Sequence, residues 1–148
     1  MNIVASEQEY GTDSGDEIRS QTFLEQSDSK TLVLVVDDDV RIQNFIRLSL
    51  RLAGYDVITT TDGEEALNVV DSKKLGIMVL DIQMSPMDGF EVLSKLRMVS
   101  ELPVIVISAH ASAANKAINL GANDFLVKPF RPDELVERIK ALLKHAFN

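Results

Sequence analysis

From Thr31 onward, short apolar runs alternate with stretches of helical period. "TLVLVV" (31–36) is continuously apolar apart from its first residue, as a strand buried on both faces requires. Ile42, Phe45, Ile46, Ser49 and Ala53 then recur at helical spacing, and Gly54 stands where helices commonly stop. "YDVITT" is short and β-branched, and "DGEEALNVVD" runs from turn residues into helix formers. "IMVL" is a third apolar run, after which Phe90, Leu93 and Leu96 continue a helix begun near Asp88. Pro103 opens "PVIVI", at a strand's first residue, where proline is tolerated. "SAANKAINLG" predicts a short helix closed by Gly121, and "DFLV" a fifth strand. Pro132 suits the first position of a last helix striped by Leu135, Ile139, Leu142 and Leu143. Asp133 and Glu134 fill its first turn and Lys140 and Lys144 lie near its end, each on the side the helix dipole favours.

Five βα units in one segment predict an α/β domain: a parallel sheet with helices on both faces, joined by right-handed crossovers. In such sheets ligands sit beyond the carboxyl ends of the strands, at a topological switch point. Those ends are therefore the place to look for chemistry.

Composition narrows the class. With 45% hydrophobic residues the chain can bury a sizeable core, and with 5% aromatic that core is aliphatic. There is no Cys, which excludes a disulfide framework and a thiolate metal site. No apolar run reaches a membrane span, and the N-terminus lacks the basic and apolar regions of a signal peptide. The expectation is a cytoplasmic protein without membrane contact. The net charge of −8 argues against nucleic-acid binding through a broad basic face. Residues 1–30 hold seven acids and two bases, so five of the eight net negative charges fall there. This segment, rich in Ser, Asp and Glu and without sustained period, reads as a disordered acidic tail ahead of a domain at 31–148.

The strand ends carry a matched set. Asp37 and Asp38 follow strand one, Asp81 strand three, Ser108 strand four and Lys128 strand five. Any one of these alone is an ordinary turn, cap or solvated residue. In a sheet of order 2-1-3-4-5, however, four neighbouring strands deliver them to one rim. Three carboxylates crowded together disfavour one another's ionisation and call for a cation. Mg²⁺ suits the set, since it takes oxygen ligands from one or two carboxylates and leaves room for a phosphate oxygen. Asp39 is better used as the N-cap of the first helix.

"VVDDD", "VLDIQMSPMDGFEVL", "PVIVISA" and "GANDFLVKPF" together strongly resemble the receiver domain of two-component response regulators, from Thr31 to the chain's end. The resemblance implies a flavodoxin-like (βα)5 fold of order 2-1-3-4-5, an order for which receivers are a standing example. It implies that Asp81 is the phosphoacceptor, taking a phosphoryl group from a sensor histidine kinase or phosphotransfer protein. Asp37, Asp38, Asp81 and the backbone carbonyl of Gln83 match the Mg²⁺ ligands, and Lys128 the lysine that pairs with the phosphoryl group. Ser108 and Phe125 match the switch hydroxyl and switch aromatic, and the Lys128–Pro129 bond is expected to be cis. Gln83 and His110 occupy positions where receivers tune loss of the phosphoryl group to water; for His110 a solvated loop residue is the competing reading.

The closing helix resembles that of receivers attached to winged-helix DNA-binding domains. Those dimerise through helix four, strand five and helix five, and Asp124, Glu134 and Arg138 match members of the salt-bridge set they use. Ala114 departs from it, standing where a basic residue is common. A second departure is Ser85, with Pro86 after it, where receivers usually place proline; this predicts a different course for the loop after Asp81. On this reading the chain is a regulatory phosphoacceptor and not an enzyme, a stand-alone receiver or a fragment of a longer regulator. Two other classes share some of the residues. A degenerate receiver would bind partners without phosphorylation, but its mark is loss of the Asp or Lys residues, which are all present. A phosphatase with an Asp nucleophile would place that residue after its first strand.

Overall fold

The computed structural model describes residues 30–146; residues 1–29, and with them nearly all of the expected acidic tail, lie outside the described residues. Five strands, β1 (Leu32–Val36), β2 (Asp56–Thr60), β3 (Ile77–Asp81), β4 (Val104–Ser108) and β5 (Asp124–Val127), form one parallel sheet of order β2-β1-β3-β4-β5. The helices are α1 (Val40–Leu52), α2 (Gly63–Ser72), α3 (Gly89–Arg97), α4 (Ala114–Asn119) and α5 (Pro132–Ala146), with a 3₁₀ turn at Ala111–Ala113 leading into α4. This is the flavodoxin-like (βα)5 architecture.

Alternate residues of each strand serve two aliphatic cores. Val33, Val35, Ile77, Val79, Ile105 and Ile107 meet Ile46 and Leu50 of α1 and Leu135 and Ile139 of α5. On the other face Leu34, Val36, Met78, Leu80, Val104 and Val106 meet Ala66 of α2, Val92, Leu93 and Leu96 of α3 and Ala117 of α4. Both faces are covered, so β3 and β4 are buried along their whole length, and an unbroken apolar run is what such a strand requires. Polarity returns at the carboxyl ends.

Helix starts and stops follow local chemistry. Asp39 Oδ1 accepts the Arg41 N–H at 2.9 Å, and Asp88 Oδ1 accepts that of Glu91 at 2.9 Å, each satisfying an orphan donor of its helix. The bond from Arg41 also holds the partly exposed Asp39 carboxyl below the usual carboxylate range. Gly54 and Gly121, at φ 100° and 109°, take the left-handed conformation after α1 and α4.

The stripe expected on α1 is rotated. Gln43, Ile46 and Leu50 face the core, whereas Phe45 and Ala53 are exposed, and Ile42 and Ser49 are only partly covered. Phe45 joins Leu48 and Leu52 on the outer face, the last 80% exposed. The pattern 42/45/46/49 and the pattern 43/46/50 share Ile46 and differ by about one residue's rotation, so hydropathy chose the wrong one where the inward side chain is polar.

At the amino end of the sheet, one guanidinium joins three segments. Arg97 donates to the carbonyls of Gly121 at 3.0 Å and Ser100 at 3.2 Å and to Asn123 Oδ1 at 3.1 Å. The same Asn123 oxygen accepts the Val104 N–H at 2.8 Å. Between α3 and α4, the Lys116 ammonium lies 4.3 Å from the Phe90 ring centre, a cation–π contact. No helix among the described residues is long and apolar enough to cross a membrane.

Candidate functional site

The carboxyl-end rim gathers the groups that the sequence distributes over 91 positions. The register sets Val36 beside Leu80 and Asp81 beside Ile107, so the turn after β1, the end of β3 and the end of β4 are neighbours. Carboxylate oxygens of Asp37, Asp38 and Asp81 all lie within 4.8 Å of one another. Asp37 and Asp81 are buried and Asp38 is exposed, so the cluster is a pocket with one open side. Lys128 reaches in from beyond β5, its Nζ 3.2 Å from Asp37 Oδ2 and 3.3 Å from Asp81 Oδ1. The peptide after it, Lys128–Pro129, is cis, as is Ser85–Pro86 in the loop following Asp81.

The electrostatics are those of a cation-poor site. Burial pushes the Asp81 carboxyl up to about 6, the Asp37 charge adds to the rise, and the Lys128 ammonium opposes it. One ammonium for three carboxylates leaves the pocket net negative. The oxygen-only donor set, open on the Asp38 side, fits a hard divalent cation that retains waters, and it fits no soft metal. Lys128→Met is expected to raise the Asp81 carboxyl further above about 6, because the opposing ammonium is removed. Carboxyl ¹³C shifts followed through a pH titration in the metal-free protein check this; an unmoved midpoint would show that the amine does not act on Asp81.

The remaining candidates are placed less uniformly. Ser108 is buried at the end of β4, and its Oγ accepts the N–H of His110, which is itself exposed. The Ser108 carbonyl accepts the Lys128 N–H at 2.8 Å, tying the β4 end to the lysine's loop. Gln83 is exposed, and its backbone N–H donates to Asp81 Oδ1 at 3.3 Å. Phe125 is half-buried against the α3/α4-side core. Asp124, Glu134 and Arg138 form a cluster of their own: Arg138 donates to Asp124 Oδ1 at 2.8 Å and to the Phe125 carbonyl at 3.3 Å, and stands 3.8 Å from Glu134. Within one chain these three therefore tie α5 to β5.

Two features escaped the sequence reading. Gln43, 4% exposed, places its side-chain amide against the backbone of the acidic turn. The available signal was a polar residue three and seven positions before the buried Ile46 and Leu50. The second is an apolar hollow of about 460 Å³ beside Lys128, lined by Ile42, Phe45, Ala109, Pro129 and Phe130 as well. Its signal was Phe45, which periodicity had assigned to the core.

The family profile described as "response regulator receiver domain" matches residues 33–140. A probable transcriptional regulator ycf27 from Cyanophora paradoxa is 39% identical over 122 residues, 81% of this chain and 51% of that protein. The transcriptional regulatory protein PrrA of Mycobacterium bovis is 45% identical over 115 residues, 76% of this chain and 49% of that protein. The chain thus spans about half the length of the curated relatives it matches. Among solved structures, the response regulator protein TrrA of Thermotoga maritima, in complex with Mg²⁺-BeF, superposes with a TM-score of 0.71 at 32% identity, covering 76% of this chain and 98% of that one.

Proposed function

Because this chain belongs to the response regulator receiver family, whose members are regulatory phosphoacceptors and not turnover enzymes, we propose that Asp81 takes a phosphoryl group from a histidine kinase or phosphotransfer protein and that the resulting charge resets the α4–β5–α5 face. The observation that carries this reading is the convergence of Asp37, Asp38, Asp81 and Lys128 within one half-buried pocket.

An ionised Asp81 oxygen attacks the phosphorus of a phosphoimidazole in line with the P–N bond. The new O–P bond forms as the P–N bond breaks, and the imidazole nitrogen keeps the electron pair and is protonated by solvent. The protein has little covalent work to do beyond positioning and neutralisation. Asp37, Asp38 and Asp81, with the Gln83 carbonyl, would hold Mg²⁺, which when bound supplies positive charge to the phosphoryl oxygens. Lys128, already in contact with Asp81, supplies the second positive charge and keeps the nucleophile from protonating. The apolar hollow against Phe45 and Phe130 gives the donor protein a dry footing beside the reacting atoms.

The adduct brings a charge of roughly −1.5 to −2 and three strong acceptors. Ser108, now accepting from the His110 N–H, has an O–H to donate toward it, and movement of that segment opens room for the half-buried Phe125. Such a shift goes only as far as the phosphoryl group prefers one state over the other. Exposed Ile118 of α4 and Val127 of β5 lie on the elements concerned, which supports a homodimer through that face in which Asp124, Glu134 and Arg138 exchange partners. Regulation of transcription is the corresponding reading, drawn from the names of its relatives.

Incubation with acetyl phosphate and Mg²⁺ followed by intact-mass spectrometry tests the proposal. One added phosphoryl group is expected, and none when EDTA is present. No adduct under either condition would leave a receiver that works by binding alone.

A further inference from the structure

We propose that Gln43 is a positioning residue for the acidic turn: its side-chain amide holds the peptide joining Asp37 to Asp38, and with it the two carboxylates, in the arrangement that receives the divalent ion. The inference rests on the reading above that Asp37, Asp38 and Asp81 hold Mg²⁺.

Gln43 projects from the first turn of α1 into the core face, where it replaces an apolar side chain. Its Nε2 donates to the Asp37 carbonyl at 2.8 Å and to the Thr60 carbonyl at 2.6 Å. Thr60 ends β2, a strand that contributes no ligand, and its carbonyl also accepts the Asp37 N–H at 3.1 Å. Asp37 is thereby fixed on every side: N–H to Thr60, carbonyl to Gln43, Oδ1 to the Asp39 N–H at 2.9 Å, and Oδ2 against Lys128.

Asp38 is different. Its carboxylate is exposed, and the chain controls it through the peptide that precedes it. The oxygen of that peptide is the one Gln43 holds. Three carboxylates within 4.8 Å repel, and in the metal-free protein that repulsion acts to open the turn. A buried neutral amide opposes it without adding a charge of its own, so the ion meets a turn already formed.

Mg²⁺ binding is measured by calorimetry on the wild-type protein, on Gln43→Met, and on Arg47→Met. Arg47 lies on the same helix and donates to Asn44 Oδ1 at 3.2 Å and Thr59 Oγ1 at 2.9 Å, making no hydrogen bond to the acidic turn. Gln43→Met is expected to weaken Mg²⁺ about fivefold or more and Arg47→Met to leave it within about twofold, although both lower the melting temperature. A general packing role would move the melting temperatures alone. In wild-type protein without metal, the Gln43 side-chain NH₂ is expected to exchange with solvent far more slowly than that of exposed Asn44, a readout independent of any variant's folding. Equal Mg²⁺ affinity in wild type and Gln43→Met, or amide exchange as fast as that of Asn44, overturns the inference and leaves the metal site standing. Failure of the wild type to bind Mg²⁺ removes both.

Discussion

Asp81→Asn is expected to abolish the phosphoryl adduct and, in EDTA at neutral pH, to make the protein more stable. The first effect follows from loss of the proposed phosphoacceptor carboxylate, which lies 3.3 Å from the Lys128 ammonium. The second follows from linkage. Burial holds the folded Asp81 carboxyl at about 6, against an ordinary value of 3.8. A carboxyl raised in this way favours the folded state fully below its unfolded value, and that contribution disappears as the pH rises through the folded one. Relative to Asp81→Asn, the wild type should therefore lose stability between about pH 4 and pH 6, by on the order of 3 kcal/mol, and then hold a constant deficit. Asn has the same shape and can still accept the Gln83 N–H, so the comparison isolates the charge. Thermal melts of both proteins across that range check it; parallel curves would mean that Asp81 ionises as an exposed carboxylate does. Mg²⁺ should restore the wild type, because ligand binding to the folded state adds to its stability.

Gly89→Ala carries the second large effect. A methyl group at Gly89 would fall on the Asp81 carbonyl oxygen and 2.7 Å from Ile82 Cα. Both obstacles are backbone at the buried carboxyl end of β3, where Asp81 pairs with Ile107 of β4, so neither can turn aside as a side-chain tip would. The helix must back away, loosening the Gly89 N–H bond to the Ile82 carbonyl at 2.9 Å and the loop that carries Asp81. A loss on the order of 2–3 kcal/mol is expected, with slower adduct formation from acetyl phosphate. Ser94→Ala, on the exposed face of the same helix, should stay within about 0.5 kcal/mol. Denaturant titrations of the two variants decide it, and a Gly89→Ala protein as stable as Ser94→Ala would show that α3 is free to shift.

The sheet was legible because strands covered on both faces must be apolar throughout, as "VLVV", "IMVL" and "PVIVI" are. The carboxylates and Lys128 were legible because strand order turns distant strand ends into neighbours, and that order came with the resemblance. The facing of α1 was not legible. A helix presents its period clearly but not its phase, and here a buried Gln interrupts the inward stripe while Phe45, Leu48 and Leu52 decorate the outer one. Gln43 was invisible for a related reason: its partners are backbone carbonyls, which any sequence supplies everywhere. Arg97 escaped likewise, since two of its three acceptors are peptide oxygens.

That guanidinium has a mechanical consequence. By stapling the segments that enter β4 and β5 to the end of α3, it makes the lower rim of the sheet a fixed footing. On the proposed switch, displacement of the upper rim would then not be relieved by sliding whole strands downward. It would turn sideways, into the six-residue α4 and the aromatic of β5, much as a lever pinned at one end swings only at the other.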